Sequence, residues 1–174
     1  MKRKDIRWRS LNSFAVAWLL AAVALAGEGK SNAAWEKMKS LVGDWQGTMA
    51  EGDQRVPVSV SYRLVSKGTS LMETMTAPEE TDMVTMYVPD GDKIVMTHYC
   101  SEGNQPRMRA AAPGGDVKKL DFRFVDATNL SSPDAMHMRN LVVTFQDANH
   151  FKQEWTHHAP GKDQTGVFEY TRKN

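Results

Sequence analysis

The sequence predicts an all-β fold, an antiparallel up-and-down barrel of about ten strands entered through one short helix. Three observations lead there. Apolar residues alternate with polar ones in run after run beyond Gly43, the signature of strands whose successive side chains face opposite sides of a sheet. Turn-forming residues interrupt those runs at short intervals, as hairpins require. The length of 174 residues, with 41% hydrophobic and 25% charged, fits one globular domain and excludes collagen-like, coiled-coil and wholly disordered chains.

The first element is a leader. Lys2, Arg3, Lys4, Arg7 and Arg9 precede the apolar run Phe14–Ala26, which closes on Ala24-Leu25-Ala26. A basic start, an apolar stretch and a small-x-small ending are the parts of a secretory signal, so residues 1–26 are read as a signal peptide cleaved after Ala26. The apolar run is shorter than the ~20 residues a membrane-crossing helix needs, so no stable membrane insertion is expected after cleavage. The expected location is exported, either periplasmic or secreted. Five of the 22 basic and one of the 21 acidic side chains fall in the leader, so the remainder carries 17 against 20, a net −3. An acidic chain without a basic cluster gives no footing for nucleic acid.

The second element is a lead-in helix within 27–42. Trp35, Met38, Leu41 and Val42 recur at helical spacing, Ser31 or Asn32 can cap the start, and Gly43 follows the end. Residues 43–174 then form the barrel. Its strands are expected at 44–50, 56–65, 70–76, 82–88, 93–100, 106–111, 119–125, 137–146, 150–157 and 165–172. Val58, Val60, Tyr62 and Leu64 alternate in the second of these; Leu120, Phe122 and Phe124 in the seventh; Phe151, Gln153 and Trp155 in the ninth. Pro89-Asp90-Gly91-Asp92 is the clearest hairpin turn, and Lys67-Gly68, Pro113-Gly114-Gly115 and Pro160-Gly161 mark others. Closure into a barrel is preferred over an open sandwich because it removes exposed edge strands.

The segment Leu41-Val42-Gly43-Asp44-Trp45-Gln46-Gly47 resembles the start of lipocalin and fatty-acid-binding-type (calycin) barrels. The resemblance, covering roughly residues 35–172, implies structural roles for Gly43, Trp45 and Gly47, with Trp45 closing one end of the barrel. Together with Thr97–Met108, the pattern is similar to uncharacterised bacterial lipocalin-like domains. It implies a concave interior and no reaction. Nitrobindin-like barrels, which bind haem, share the Gly43-x-Trp45-x-Gly47 opening. Here Met49 stands where they have a further Gly, and the last strand carries Phe168 and Tyr170 instead of an axial His.

Candidate functional residues follow from the strand pattern. Met72, Met75, Met83, Met86, Met96 and Met108 crowd into 37 residues, and unbranched thioethers make an adaptable apolar lining. A copper site from Met72/Met75 or Met83/Met86 is excluded by strand geometry, since residues three apart face opposite sides. The five histidines form no local metal motif, so no metal site is expected. The ligand-binding set is read as Met86, Met96, His98, Asn104, Gln105, Arg107, Met108 and His137, taking a small hydrophobic or amphipathic molecule. Arg107 would meet an acidic head group if the ligand has one. No catalytic residue and no cofactor is assigned. A haem- or redox-linked barrel using His98, Cys100 or His137 is the alternative, and a barrel enzyme of unassigned reaction is another. Strand parity places the 51–55 turn, 77–81, 101–106 and 126–136 at the mouth, with Pro89–Asp92 at the helix end.

Overall fold

A computed structural model describes residues 32–51, 54–78, 81–111 and 116–174. The leader at 1–26 and the turns at Glu79-Glu80 and Pro113–Gly115 lie outside the described residues. Among the described residues the elements are a helix α1 (Ala33–Lys39) and ten strands. The strands are β1 (Gly43–Glu51), β2 (Gln54–Val65), β3 (Ser70–Thr76), β4 (Met83–Asp90), β5 (Lys93–Tyr99), β6 (Gln105–Ala111), β7 (Lys119–Thr128), β8 (His137–Phe145), β9 (His150–Ala159) and β10 (Lys162–Arg172). Every strand pairs antiparallel with its chain neighbours, and β1 closes on β10, giving a closed up-and-down barrel.

Among the described residues the helix covers Ala33–Lys39 and stops short of Val42, the last residue of the helical pattern. Asn32 caps its start, accepting from the Trp35 N–H at 3.0 Å. The helix ends at Lys39 with Ser40 as its C-cap, after which the chain turns through Leu41 and Val42 into Gly43, whose φ of +130° suits glycine alone. Ala34, Trp35, Met38 and Leu41 are buried, whereas Val42 lies outside the helix and is exposed. Asn32 Nδ2 donates to the carbonyls of Gly91 and Lys93 at 2.9 and 3.0 Å, tying the helix to the β4–β5 turn. The Pro89–Asp92 turn and the helix therefore share one end of the barrel.

That end is sealed by Trp45 and Arg172. Trp45 is 1% exposed, donates Nε1–H to the Leu41 carbonyl at 2.7 Å, and meets Phe151 edge-on at 4.7 Å. The Arg172 guanidinium lies 4.0 Å from the Trp45 ring and donates to the carbonyls of Ser40 and Val42, holding the post-helix turn against the sheet. Gly47 is fixed by sterics: a Cβ there would stand 2.1 Å from the Glu169 carbonyl oxygen, under the Tyr170 ring.

Alternation fills the interior. Val58, Val60, Tyr62, Leu71, Met75, Tyr87, Ile94, Met96, Met108, Leu120, Phe122, Leu141, Val143, Phe151, Trp155, Phe168 and Tyr170 form its apolar lining. Leu64 departs from the period-two expectation, being 42% exposed at the end of β2, where the chain leaves the barrel for the turn at Ser66–Gly68.

Candidate functional site

The ladder between β7 and β8 is incomplete. Lys119–Arg123 pairs with Asn140–Thr144, but from Phe124 onward β7 pairs only with β6. An extra residue in β7, Val125 opposite Arg107/Met108 of β6, and another in β8, Arg139 between Met138 and Asn140, flank this parting, and such bulges bend strands and redirect side chains. The segment 129–136 crosses beside it at the end opposite the helix. A cleft of 460 Å³ opens there, with Phe124, Leu130 and Pro133 as apolar walls and Asp134, His137 and His158 among its polar ones.

His137 and His158 are directly opposed across the β8–β9 ladder, so their rings lie on one face of it, 5.1 Å apart between centroids. His137 is buried and packs against Phe124 at 4.8 Å. Its Nδ1 lies 2.6 Å from the Ala135 carbonyl. A carbonyl only accepts, so Nδ1 carries the proton and the neutral ring's lone pair is on Nε2. His158 Nδ1 is likewise 2.7 Å from Asp163, which leaves its Nε2 as the neutral ring's acceptor. Arg139 pairs with the other oxygen of Asp163 at 3.5 Å. Among the described residues no group of three or more His, Cys, Asp or Glu side chains is arranged to hold a metal ion.

The mouth brings Asn104, Gln105 and the 126–136 segment together. Asn104 Nδ2 donates to the Met136 carbonyl at 2.8 Å, Thr128 donates to Gln105 Oε1 at 2.7 Å, and Asn129 donates to the Gly103 carbonyl at 2.6 Å. Met96 and Met108 are fully buried and opposed across β5–β6, with Phe124 opposite Met108 on the next strand. Phe124 thus joins the cleft to the interior. Two of the sequence-assigned residues stand elsewhere. Met86 alternates with the buried Thr85 and Tyr87 and so faces outward, opposite Met72, while Met75 and Met83 are opposed on the inner side. Arg107 is exposed and makes a two-pronged pair with Asp126. That pair holds the arginine high and Asp126 below the usual carboxylate range. Neither residue lines the barrel interior, so the acidic-head-group role loses its cation. Among the described residues no Lys or Arg is buried.

His98 is in a different ring cluster from His137. Its Nδ1 shares a 2.9 Å hydrogen bond with Thr85 Oγ1, its ring lies 4.7 Å from that of Trp155, and its Nε2 is buried without a partner. Burial pulls its pKa from 6.5 down to about 4. Cys100 is half-buried at the end of β5, where burial pushes its thiol up and so reduces the thiolate a nucleophile needs. On the last strand, Phe168 has no iron-ligating atom and Tyr170 is stacked on Phe151, so the final strand supplies no nitrogen for haem iron.

The interior also holds a polar cluster that the sequence reading did not single out. Glu73 is 1% exposed. Its carboxyl accepts from the Tyr87 hydroxyl at 2.7 Å and from Gln153 Nε2 at 3.1 and 3.2 Å, while Gln153 Nε2 also donates to the Tyr62 oxygen. Burial raises the Glu73 pKa, and the bonds from Tyr87, Tyr62 and Gln153 oppose that rise. The signal was present in Leu71-Met72-Glu73-Thr74-Met75, where period two places Glu73 on the same face as Leu71 and Met75. Its partners come from β2, β4 and β9, which no local pattern joins.

No protein-family model and no curated protein matches the chain. Solved structures similar to it include the following two. One is a protein of unknown function from the DUF3598 family of Nostoc punctiforme PCC 73102, with a TM-score of 0.54 at 10% identity over 78% of this chain and 48% of that one. The other is EF1p2_mFAP2b bound to DFHBI, with a TM-score of 0.40 at 10% identity over 80% of this chain and 98% of that one. The chain spans about half the length of the DUF3598 protein, and the likeness to it is one of fold.

Proposed function

We propose that this is an exported, non-enzymatic protein that holds a small, largely apolar molecule in the cleft where β7 and β8 part. The observation that carries the reading is the cleft itself. At 460 Å³ it falls in the size range of small-molecule sites, roughly 300–1,000 Å³, and combines apolar walls with a few convergent polar groups. Phe124 extends that apolar surface toward Met108 and the barrel interior. Binding without reaction suits the polar groups present. The His98–Cys100 region has an imidazole kept neutral by burial and a thiol pushed up by burial, an arrangement that disfavours a nucleophile–base pair.

The test is native mass spectrometry of protein purified from its own host, beside the variant Ala127→Trp, which places an indole in the cleft wall. A co-purifying small molecule on the wild type and its loss from a natively folded Ala127→Trp protein support the reading. Retention of the molecule by the variant would move the site elsewhere.

A further inference from the structure

The charges around the cleft are nearly all matched. Asp126 is taken up by Arg107, with a 2.6 Å contact to Nη2. Arg139 and His158 both meet Asp163. Asp134 lines the same cleft and makes no ion pair among the described residues, so its carboxylate is the cleft's uncompensated charge. His137 and His158 line the same cleft, and their Nδ1 protons are committed to the Ala135 carbonyl and to Asp163. In the neutral rings both Nε2 atoms are acceptors. One carboxylate and two ring acceptors therefore border a space whose aromatic wall is Phe124. An anion would meet that carboxylate and those lone pairs unfavourably. A divalent ion would lack a grouped set of three protein ligands among the described residues.

The geometry points to an organic cation, a protonated amine carried on an apolar body, as the ligand class of this cleft. The inference rests on the cleft being the binding site. The amine's N–H groups would donate to the Asp134 carboxylate and to Nε2 of His137 or His158. Charge-assisted bonds of this kind are about twice as strong as neutral ones. The apolar body would lie along Phe124, Leu130 and Pro133, and the face of Phe124 also attracts a cation.

The experiment uses three probes with one hydrocarbon body, octylamine, octanol and octanoate, titrated below their micelle-forming concentrations into wild type, Asp134→Asn and Ala127→Trp. Amide chemical shifts of Phe124, His137 and His158 report where each probe binds. Octylamine should bind at least tenfold tighter than octanol, with octanoate weakest. Asp134→Asn should bring octylamine to within about twofold of octanol and leave octanol unchanged, and Ala127→Trp should weaken all three. Equal affinities for the three probes in the wild type, or an amine preference that survives Asp134→Asn, would overturn the organic-cation assignment while leaving the cleft as the site. Shifts confined to residues outside the cleft, or none with any probe, would remove the cleft itself and the assignment with it.

Discussion

Replacing Gly47 by alanine tests the barrel closure most directly. Gly47 pairs with Tyr170 where β1 meets β10, the junction that turns a ten-strand sheet into a barrel. A Cβ there would sit 2.1 Å from the Glu169 carbonyl oxygen and 2.8 Å from the Tyr170 ring. Reaching even 3.0 Å from the oxygen demands a separation of about 0.9 Å between two backbones held by ladder hydrogen bonds. Strain of this kind costs ~1–3 kcal/mol. Weakening the neighbouring ladder bonds adds ~1 kcal/mol each. The expected loss is about 3–5 kcal/mol, a large part of a total stability of roughly 5–15 kcal/mol. Gly166→Ala on β10 is the internal control, because its nearest obstacle is the edge of the Phe168 ring at 3.4 Å. It should change stability by less than ~1 kcal/mol, with a gain expected from reduced freedom of the unfolded chain. Urea denaturation followed by tryptophan fluorescence measures both. The Gly47→Ala midpoint should fall well below wild type, and the Gly166→Ala midpoint should stay close to it. A Gly47→Ala loss below ~1 kcal/mol, or equal to that of Gly166→Ala, would refute the close approach of β1 to β10.

Trp45→Ala should cost ~3–5 kcal/mol in the same assay, since it removes a fully buried ring and strands the Arg172 guanidinium above a void; a loss below ~1 kcal/mol would contradict its role in sealing the barrel. The lowered His98 pKa makes the folded state bind fewer protons than the unfolded chain between pH 6.5 and about 4. Stability should therefore fall on acidification through that window by roughly 3 kcal/mol. His98→Gln should flatten that part of a pH series of urea midpoints, and an unchanged slope would show that His98 is solvated. Glu73 acts in the opposite direction. Its raised pKa lets the folded state keep a proton the unfolded chain releases above pH 4.5, so this contribution is present at low pH and is lost as pH rises. Wild type relative to Glu73→Gln should be most stable at acid pH and lose ground as pH rises, and a constant difference across pH would defeat the assignment. N-terminal sequencing of exported protein should begin at Gly27, and a chain retained from Met1 would defeat the leader reading.

The strand pattern was legible because period-two alternation and turn residues are local properties. The hairpin at Pro89–Asp92, the alternation of Phe151, Gln153 and Trp155, and the mouth formed by Asn104, Gln105 and 126–136 all follow from parity along the chain. Parity also contained the inward placement of Glu73 and the outward placement of Met86, although the crowding of methionines drew attention away from both. Three features needed the tertiary structure. The engagement of Arg107 by Asp126 depends on which residue the β7 bulge at Val125 sets opposite it. The network of Glu73 with Tyr62, Tyr87 and Gln153 joins four strands across the barrel interior, up to 91 positions apart in sequence. The cleft exists because the β7–β8 ladder stops at Arg123 while both strands continue. Each strand alone reads as regular. Local sequence sets the direction in which a side chain leaves its own strand, whereas register, bulges and the closing of the barrel set what it meets on the others.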